Sequence, residues 1–140
     1  MCLEVIKYQN LTPKDEDWKI GYRIYIPKGN THFVSPFIGV RHKFGRTYKV
    51  TIEDYVSCWD DDDTEIAYKA GFHIFPKLEE ANYYLHHHLR LNQNPLWLPN
   101  MLIEAPLTIV KVKYRHICAS GYQFCAECDV AEELELLEVV

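Results

Sequence analysis

The stretch LTIVKVKYRHIC, residues 107–118, restricts the fold more than any other part of the chain. Apolar and charged side chains alternate along it, and a period of two is typical of a β-strand with one buried face. The apolar positions are Val110, Val112 and Tyr114, and the charged positions are Lys111, Lys113 and Arg115. The chain must therefore contain a sheet that packs one face against a core.

Other segments predict further strands. Three of them are GYRIYIP (21–27), TYKVTI (47–52) and GFHIF (71–75). The last segment, 130–140, places Leu134 and Leu136 in alternation with two glutamates, which favours a final strand. Its four glutamates suit a helix equally well, so the pattern leaves both structures open.

The stretch PKLEEANYYLHHHLR, residues 76–90, predicts the main helix. Pro76 fits the first turn, where its missing N–H costs nothing. The apolar residues recur at steps of three and four and form one buried stripe; they are Leu78, Ala81, Leu85 and Leu89. The sum is an α+β fold, with an antiparallel or mixed sheet of about five or six strands and one main helix, in a single domain spanning 1–140.

Charge and composition exclude several classes of protein. The net charge of −5 disfavours a general nucleic-acid binder, although one stretch (Arg41, Lys43, Arg46 and Lys49) is locally basic and contains no acid. No segment approaches the roughly 20 apolar residues of a membrane span. The first ten residues lack the apolar stretch of a signal peptide. We therefore expect a cytosolic protein without membrane association, whose five cysteines are thiols or metal ligands rather than disulfides.

The stretch HICASGYQFCAEC, residues 116–128, is the one candidate metal site. If Ser120 and Gly121 form a two-residue hairpin turn, three side chains converge on one strand face and a fourth closes a tetrahedral zinc site. These four are His116, Cys118, Cys125 and Cys128. A three-residue turn shifts the register by one and separates them. The favoured interpretation is that the cysteines are ordinary buried residues and that the protein carries no cofactor.

An enzymatic alternative rests on four residues: Arg23, His73, Glu133 and Glu135. An arginine on the first long strand and an E-x-E pair near the end of the chain are similar to elements of ADP-ribosyltransferases, in which two glutamates hold a nicotinamide ribose. His73 is a candidate general base, but a histidine between Phe72 and Phe75 is more often a hydrogen-bonded core residue. Short E-x-E matches occur easily in a chain with this many glutamates, so this alternative is the less favoured one.

Several motifs recur in the order found in a group of known proteins. They are MCLEVIKY (1–8), GYRIY (21–25), SPF (35–37), FGRTY (44–48) and AGFHIFPKLEEA (70–81). The chain resembles small uncharacterised proteins of tailed phages and gut bacterial genomes, which share an initial Met-Cys-Leu, a YK- or YR-type strand, an SP element and a GFHxF…EEA strand–helix junction. The resemblance covers most of the chain except 92–106. It implies a phage or mobile-element setting, and hence a bacterial host cytosol, but assigns no activity to any residue.

The segment NQNPLWLPNMLIEAP, residues 92–106, is a candidate partner-binding site. Its prolines exclude a continuous helix, and its apolar content is too high for a disordered linker. The candidate contact residues are Leu96, Trp97, Leu98, Met101 and Leu102. Alternatively, these side chains cap the open face of the sheet within their own domain.

These observations favour a non-enzymatic accessory protein of a phage or mobile element that binds a host protein, with inhibition of a bacterial defence system as the expected role. The alternatives are a nucleotide-binding or ADP-ribosyltransferase-like enzyme and a small zinc-stabilised binding module. The sequence leaves a homo-oligomer open.

Overall fold

The computed structural model describes residues 3, 5–9, 17–29, 31–35, 41–50, 55–59, 65–69, 71–90, 107–123 and 125–140. Within these ranges the strands are β1 (Val5–Gln9), β2 (Lys19–Lys28), β3 (His32–Val34), β4 (Arg41–Lys43), β5 (Thr47–Lys49), β6 (Tyr55–Trp59), β7 (Glu65–Lys69), β8 (Phe72–Ile74), β9 (Thr108–Gln123) and β10 (Ala126–Val139). Helix α1 (Leu78–Tyr84) continues into a π-helical segment (Leu85–Arg90).

The expected α+β class is wrong, because the chain is mostly β with one short α-helix. The two longest elements are the neighbours β9 and β10, which pair along most of their lengths. The segment 130–140, which suited a helix or a strand, is part of β10. The segment forms a strand because alternation buries Leu134 and Leu136 on one face of the sheet, while Glu133 and Glu135 form ion pairs on the other face.

The main sheet is antiparallel and curls until it is nearly closed. Its strand order is β4-β3-β2-β9-β10-β5, with β1 beside β9 and β8 beside β10. The outer strands β4 and β5 are consecutive in the chain, and Phe44 between them bridges Leu136. Strand β8 connects to β2 through two backbone hydrogen bonds between Tyr22 and Phe75, with N···O distances of 2.8 and 2.9 Å. Strands β6 and β7 form a separate hairpin.

Each face of the sheet carries its own hydrophobic cluster. The inner face, enclosed by the curl, holds the buried residues Tyr25, Phe33, Ile74, Val110, Val112, Tyr114, Ile117, Ala131, Leu134 and Leu136. The opposite face, called the helix face, packs against α1. Its cluster includes the sheet-side residues Ile24, Ile26, Phe75, Ile109, Cys128 and Val130, together with Ala81 and Tyr84 of the helix. A sheet covered on both faces explains why β10 is apolar at successive positions such as Val130 and Ala131, where strict alternation fails.

The alternation predicted for β9 is confirmed up to Tyr114. Its apolar members lie on the inner face, and its charged members face outward. Each outward cation pairs with a glutamate of β10: Lys111 with Glu138, Lys113 with Glu135 and Arg115 with Glu133. These pairs lie across neighbouring strands, where opposite charges contribute a few tenths of a kcal/mol, up to about 1 kcal/mol each.

The predicted helix is present, but it is shorter than the sequence indicated. It begins at Leu78 rather than at Pro76, and its α-helical part ends at Tyr84. Ala81 and Leu85 of the predicted stripe are buried, as expected, and Leu78 packs against the same cluster. No helix in the described ranges is long and apolar enough to cross a membrane.

Gly21 occupies a position in β2 where any larger side chain would collide with the inner face. A Cβ atom there would lie 2.6 Å from Ile74 Cγ2 and 2.7 Å from Tyr114 Cε1. We expect Gly21→Ala to lower the free energy of unfolding by about 1–3 kcal/mol, toward the upper value because both neighbours are packed in the core. Urea denaturation measures this loss.

Gly29→Ala is the matched control for that experiment. Gly29 has a φ of +69°, and a Cβ atom added there would meet no heavy atom within 4 Å. Its replacement therefore costs only backbone strain, about 1 kcal/mol. Equal losses for the two variants would contradict the steric argument for Gly21.

Candidate binding cleft

An open cleft lies where β2 begins and β9 extends past it. Pairing between β2 and β9 ends at Lys19 and Tyr114, and pairing between β1 and β9 begins at Ala119. The cleft has a volume of about 590 Å³, which is within the usual range for ligand sites. Its lining residues are Lys19, Ile20, Pro76, Tyr114, Ile117, Ser120, Glu127 and Asp129.

Asp129 is the central polar group of this cleft. The hydroxyl of Tyr114 donates to its Oδ2 at 2.7 Å, and the hydroxyl of Ser120 donates to its Oδ1 at 2.7 Å. The register places Asp129 opposite Ser120 on β9 and opposite Ile74 on β8. Each carboxylate oxygen is thus held by one hydroxyl, and each retains a second lone pair that can accept from a ligand.

The protonation state of Tyr114 supports its role as a donor. Burial and the neighbouring Asp129 carboxylate raise the pKa of the Tyr114 hydroxyl well above its usual value. The hydroxyl therefore keeps its proton and orients the carboxylate at any physiological pH. The Tyr114 ring is buried beside Gly21, in the same cluster as Ile74.

The charges around Asp129 make the cleft more acidic than basic. Glu127 adds a second carboxylate and Lys19 adds one cation. Lys77 lies 3.6 Å from a carboxylate oxygen of Glu127, but both side chains are largely exposed, so solvent screens this pair. The apolar part of the lining comes from Ile20, Pro76 and Ile117. This combination suits a ligand with an apolar stem and a cationic or donor-rich head.

The structure does not bring the four residues of the enzymatic alternative together. Arg23 pairs with Val110 at one end of β9 and contacts Tyr25 on the inner face. Glu133 and Glu135 pair with Arg115 and Lys113 on the outward face. The two sets of residues therefore lie on opposite faces of the sheet.

The individual environments of these residues also differ from those of a catalytic site. Burial raises the pKa of Glu133, but Arg115 and Lys49 together hold it below its usual value. Burial, assisted by the charge of Arg23, lowers the pKa of His73 to about 3. His73 is thus a neutral histidine on β8, opposite Val130. The NAD-binding hypothesis stays a prediction.

The hairpin at 116–128 differs from the one expected from the sequence. Strand β9 runs on to Gln123, which pairs with Ala126, so the chain reverses between these two residues rather than at Ser120–Gly121. Cys125 lies in that connection with a φ of +66° and is exposed. It therefore does not lie opposite His116, as the zinc geometry requires.

A bulge moves the other proposed zinc ligands. Ala119 pairs with Val130 and Ile117 pairs with Ala131, so Cys118 is an extra residue on β9. The alternation of β9 already breaks before the bulge, at His116, whose φ is +63°. Ile117 therefore belongs to the inner cluster, and Cys118 belongs to the helix-face cluster instead of facing inward as expected.

The thiols of the proposed site are engaged locally. Cys118 donates to the carbonyl oxygen of Val130 at 3.3 Å, and Cys128 lies 3.6 Å from the carbonyl oxygen of Asp129. Burial and the Asp129 charge raise the pKa of the Cys128 thiol. Across the described ranges, no three His, Cys, Asp or Glu side chains are grouped as metal ligands. Zinc binding stays a hypothesis that elemental analysis tests.

The residues proposed for partner binding, Leu96, Trp97, Leu98, Met101 and Leu102, lie outside the described residues, so that prediction also stands untested. Sequence reasoning missed Asp129 as a functional candidate. Its signal was an aspartate placed directly between the apolar residues Cys128 and Val130, since acids are seldom buried without a partner. Tyr114 and Ser120 were recognised only as a core residue and a turn residue.

No protein-family model matches this chain, and neither a curated protein nor a solved structure shows significant similarity to it.

Proposed function

We propose that this chain is a non-enzymatic binding protein whose cleft receives a lysine or arginine side chain from a partner protein. The single observation that carries the proposal is the Asp129 carboxylate, which two hydroxyls hold in place at the centre of an open cleft. A carboxylate oriented before binding loses little entropy when a cationic group arrives.

The lining supports a basic side chain in particular. Lysine and arginine place an aliphatic stem on apolar surface and a charged head on acceptors. Ile20, Pro76 and Ile117 offer the apolar surface, and Asp129 and Glu127 offer acceptors. Arginine fits best, because its planar fork forms two parallel hydrogen bonds with one carboxylate.

The setting of this activity follows from the sequence resemblance. The partner is a host protein, the protein acts in the bacterial cytosol as an accessory of a phage or mobile element, and binding inhibits a defence component. The resemblance to phage and gut-bacterial proteins supports the proposed host partner, location and role. The cleft supports only the proposal that the protein binds a basic side chain.

Asp129→Asn tests the role of the cleft directly. The substitution keeps the shape of the side chain but removes its charge, so we expect the affinity for the partner to fall by about tenfold or more. Ser120→Ala, which removes one of the two hydrogen bonds to Asp129, should produce a smaller loss. Calorimetry with a partner isolated from host lysate measures both.

Glu138→Gln is the control, because Glu138 is an exposed acid on the same strand and faces away from the cleft. It should bind as tightly as the wild type. As a second readout, NMR titration with N-acetylarginine amide should shift the resonances of Ser120, Glu127 and Asp129. A partner that binds Asp129→Asn as tightly as the wild type, or a titration that shifts none of these three resonances, would overturn the proposal.

A further inference from the structure

A buried arginine lies at the opposite end of the inner face from the cleft. Arg23 is only 9% exposed. Its Nη1 donates to the hydroxyl of Tyr25 at 2.9 Å, and its guanidinium lies 5.0 Å from the ring centre of Tyr25 and 5.5 Å from that of Phe72. Among the residues that the structure describes, no carboxylate forms an ion pair with it. Buried arginines are ordinarily paired with an acid, because an uncompensated buried charge is costly.

The groups next to Arg23 leave its positive charge uncancelled. The hydroxyl of Tyr25 lies 2.8 Å from Nδ1 of His42. Burial raises the pKa of Tyr25, so the phenol stays neutral. Burial and the charge of Arg23 lower the pKa of His42 to about 4, so the imidazole is neutral as well. Tyr25 accepts from Arg23, and the tautomer of His42 sets the direction of the bond between Tyr25 and Nδ1. In the tautomer whose Nδ1 accepts from Tyr25, the Nε2–H of His42 is a second donor.

The rim of this region is also positive. Arg41 and Lys43 flank His42 on β4, and both are exposed. Arg46 lies 5.6 Å from the ring centre of Tyr48, whose ring packs 4.2 Å from that of His42. Cations that surround a partly enclosed site raise the local concentration of anions. Arg41, Lys43 and Arg46 of the acid-free stretch thus lie beside His42 and Tyr48, whereas Lys49 pairs with Glu133 on the outward face.

Two aromatic side chains pack beside the Arg23 and His42 group. Phe72 and Tyr48 are half-buried, and both contact His42. The guanidinium of Arg23 lies 5.5 Å from the ring centre of Phe72. Because Arg23 is only 9% exposed, an anion reaches its guanidinium only when a covering side chain moves.

We propose that Arg23 and His42 form an anion site that takes the phosphate group of a small phosphorylated ligand. Arg23 supplies the planar fork that matches phosphate oxygens, and the neutral His42 supplies one further donor. The cationic rim favours a dianion over a single carboxylate. This site is independent of the cleft at Asp129, since it lies at the other end of the inner face and has the opposite charge.

Thermal unfolding of the full chain with inorganic phosphate tests the site. Phosphate should raise the unfolding temperature more than sodium chloride at equal ionic strength, because only the folded state holds the anion. Arg23→Met should remove this difference and weaken phosphate binding by about tenfold or more. Arg23→Lys, which keeps the charge without the fork, should retain part of it. Lys28→Gln, an exposed cation on the same strand, should behave as the wild type.

An NMR titration of the wild-type protein tests the same site without any substitution, so it remains valid if an Arg23 variant fails to fold. In the wild type, the side-chain Nε–Hε resonance of Arg23 should shift in a saturable manner as phosphate is added. Adenosine monophosphate in place of phosphate then identifies the source: tighter binding indicates a nucleotide, and equal binding indicates the free anion. The site does not exist if the Arg23 resonance stays unmoved, if chloride stabilises as well as phosphate, or if Arg23→Met retains the phosphate effect.

Discussion

Acidification from pH 7 to pH 4 is expected to lower the free energy of unfolding by several kcal/mol. The cause is a pair of buried histidines, His42 and His73, whose pKa values burial and Arg23 lower to about 4 and about 3. In the unfolded chain both return to about 6.5. Between pH 6.5 and these folded values, the unfolded state binds more protons, so stability falls as the pH falls. Above about pH 6.5 both histidines are neutral in either state, and their effect vanishes.

Urea denaturation at a series of pH values measures this slope. His42→Asn should flatten it, because asparagine offers an acceptor to the Tyr25 hydroxyl but does not titrate. His32→Asn, at an exposed position on β3, leaves the buried pair intact and should not change the slope. Glu133 adds a further loss of stability at lower pH, below the usual pKa of a glutamate. Protonation of its carboxylate there removes the ion pairs with Arg115 and Lys49 that lower its pKa in the folded state. A stability that is constant from pH 7 to pH 5 would contradict the burial of both histidines.

Leu134→Ala is expected to cost about 2–5 kcal/mol of folding free energy, which is the usual range for a truncated core leucine. Leu134 has no exposed surface and belongs to the inner cluster with Val112 and Tyr114. The curled sheet surrounds this position with strands on several sides, so the cavity cannot collapse easily. Chemical denaturation followed by tryptophan fluorescence gives the loss.

Leu137→Ala is the matched control and also distinguishes strand from helix. Leu137 is 39% exposed, so its truncation should cost less than about 1 kcal/mol. In a helix, positions 134 and 137 would share a face and both truncations would be costly. In strand β10 the two side chains differ in burial, and so should the two losses. Similar losses would contradict the strand.

Strand β9 shows which side-chain orientations can be predicted from a local sequence pattern and which cannot. Up to Tyr114 its alternation was predictable, because a period of two is set by the backbone itself. Beyond Tyr114 the prediction of the faces failed, because His116 has a φ of +63° and a bulge at Cys118 adds one residue to β9 opposite β10. A bulge is a property of two strands together, and nothing in the sequence of one strand marks it reliably.

In the candidate sites too, the arrangement of the residues depends on the pairing of strands. Arg23 and the basic stretch 41–49 were visible in the sequence, but the contact of Tyr25, beside Arg23, with His42 of that stretch was not, because it depends on how β4 folds back over β2 through β3. The cleft was missed entirely. Asp129, Tyr114 and Ser120 come from both strands of the β9–β10 hairpin. Only the pairing of these strands sets Ser120 opposite Asp129 and brings the Tyr114 hydroxyl, from a position opposite Leu134, within reach of the same carboxylate.

The sequence by itself determined the strands β2, β5, β8 and β9, the position of the helix, and the division of β9 into apolar and charged faces, since side-chain periodicity and local propensity are properties of short segments. The tertiary structure alone decided that the sheet curls and nearly closes, that residues 130–139 extend rather than coil, and which polar groups share a cleft. These outcomes depend on register and on burial between distant segments. A shift of one residue in that register would exchange the faces of β10 without changing any local pattern.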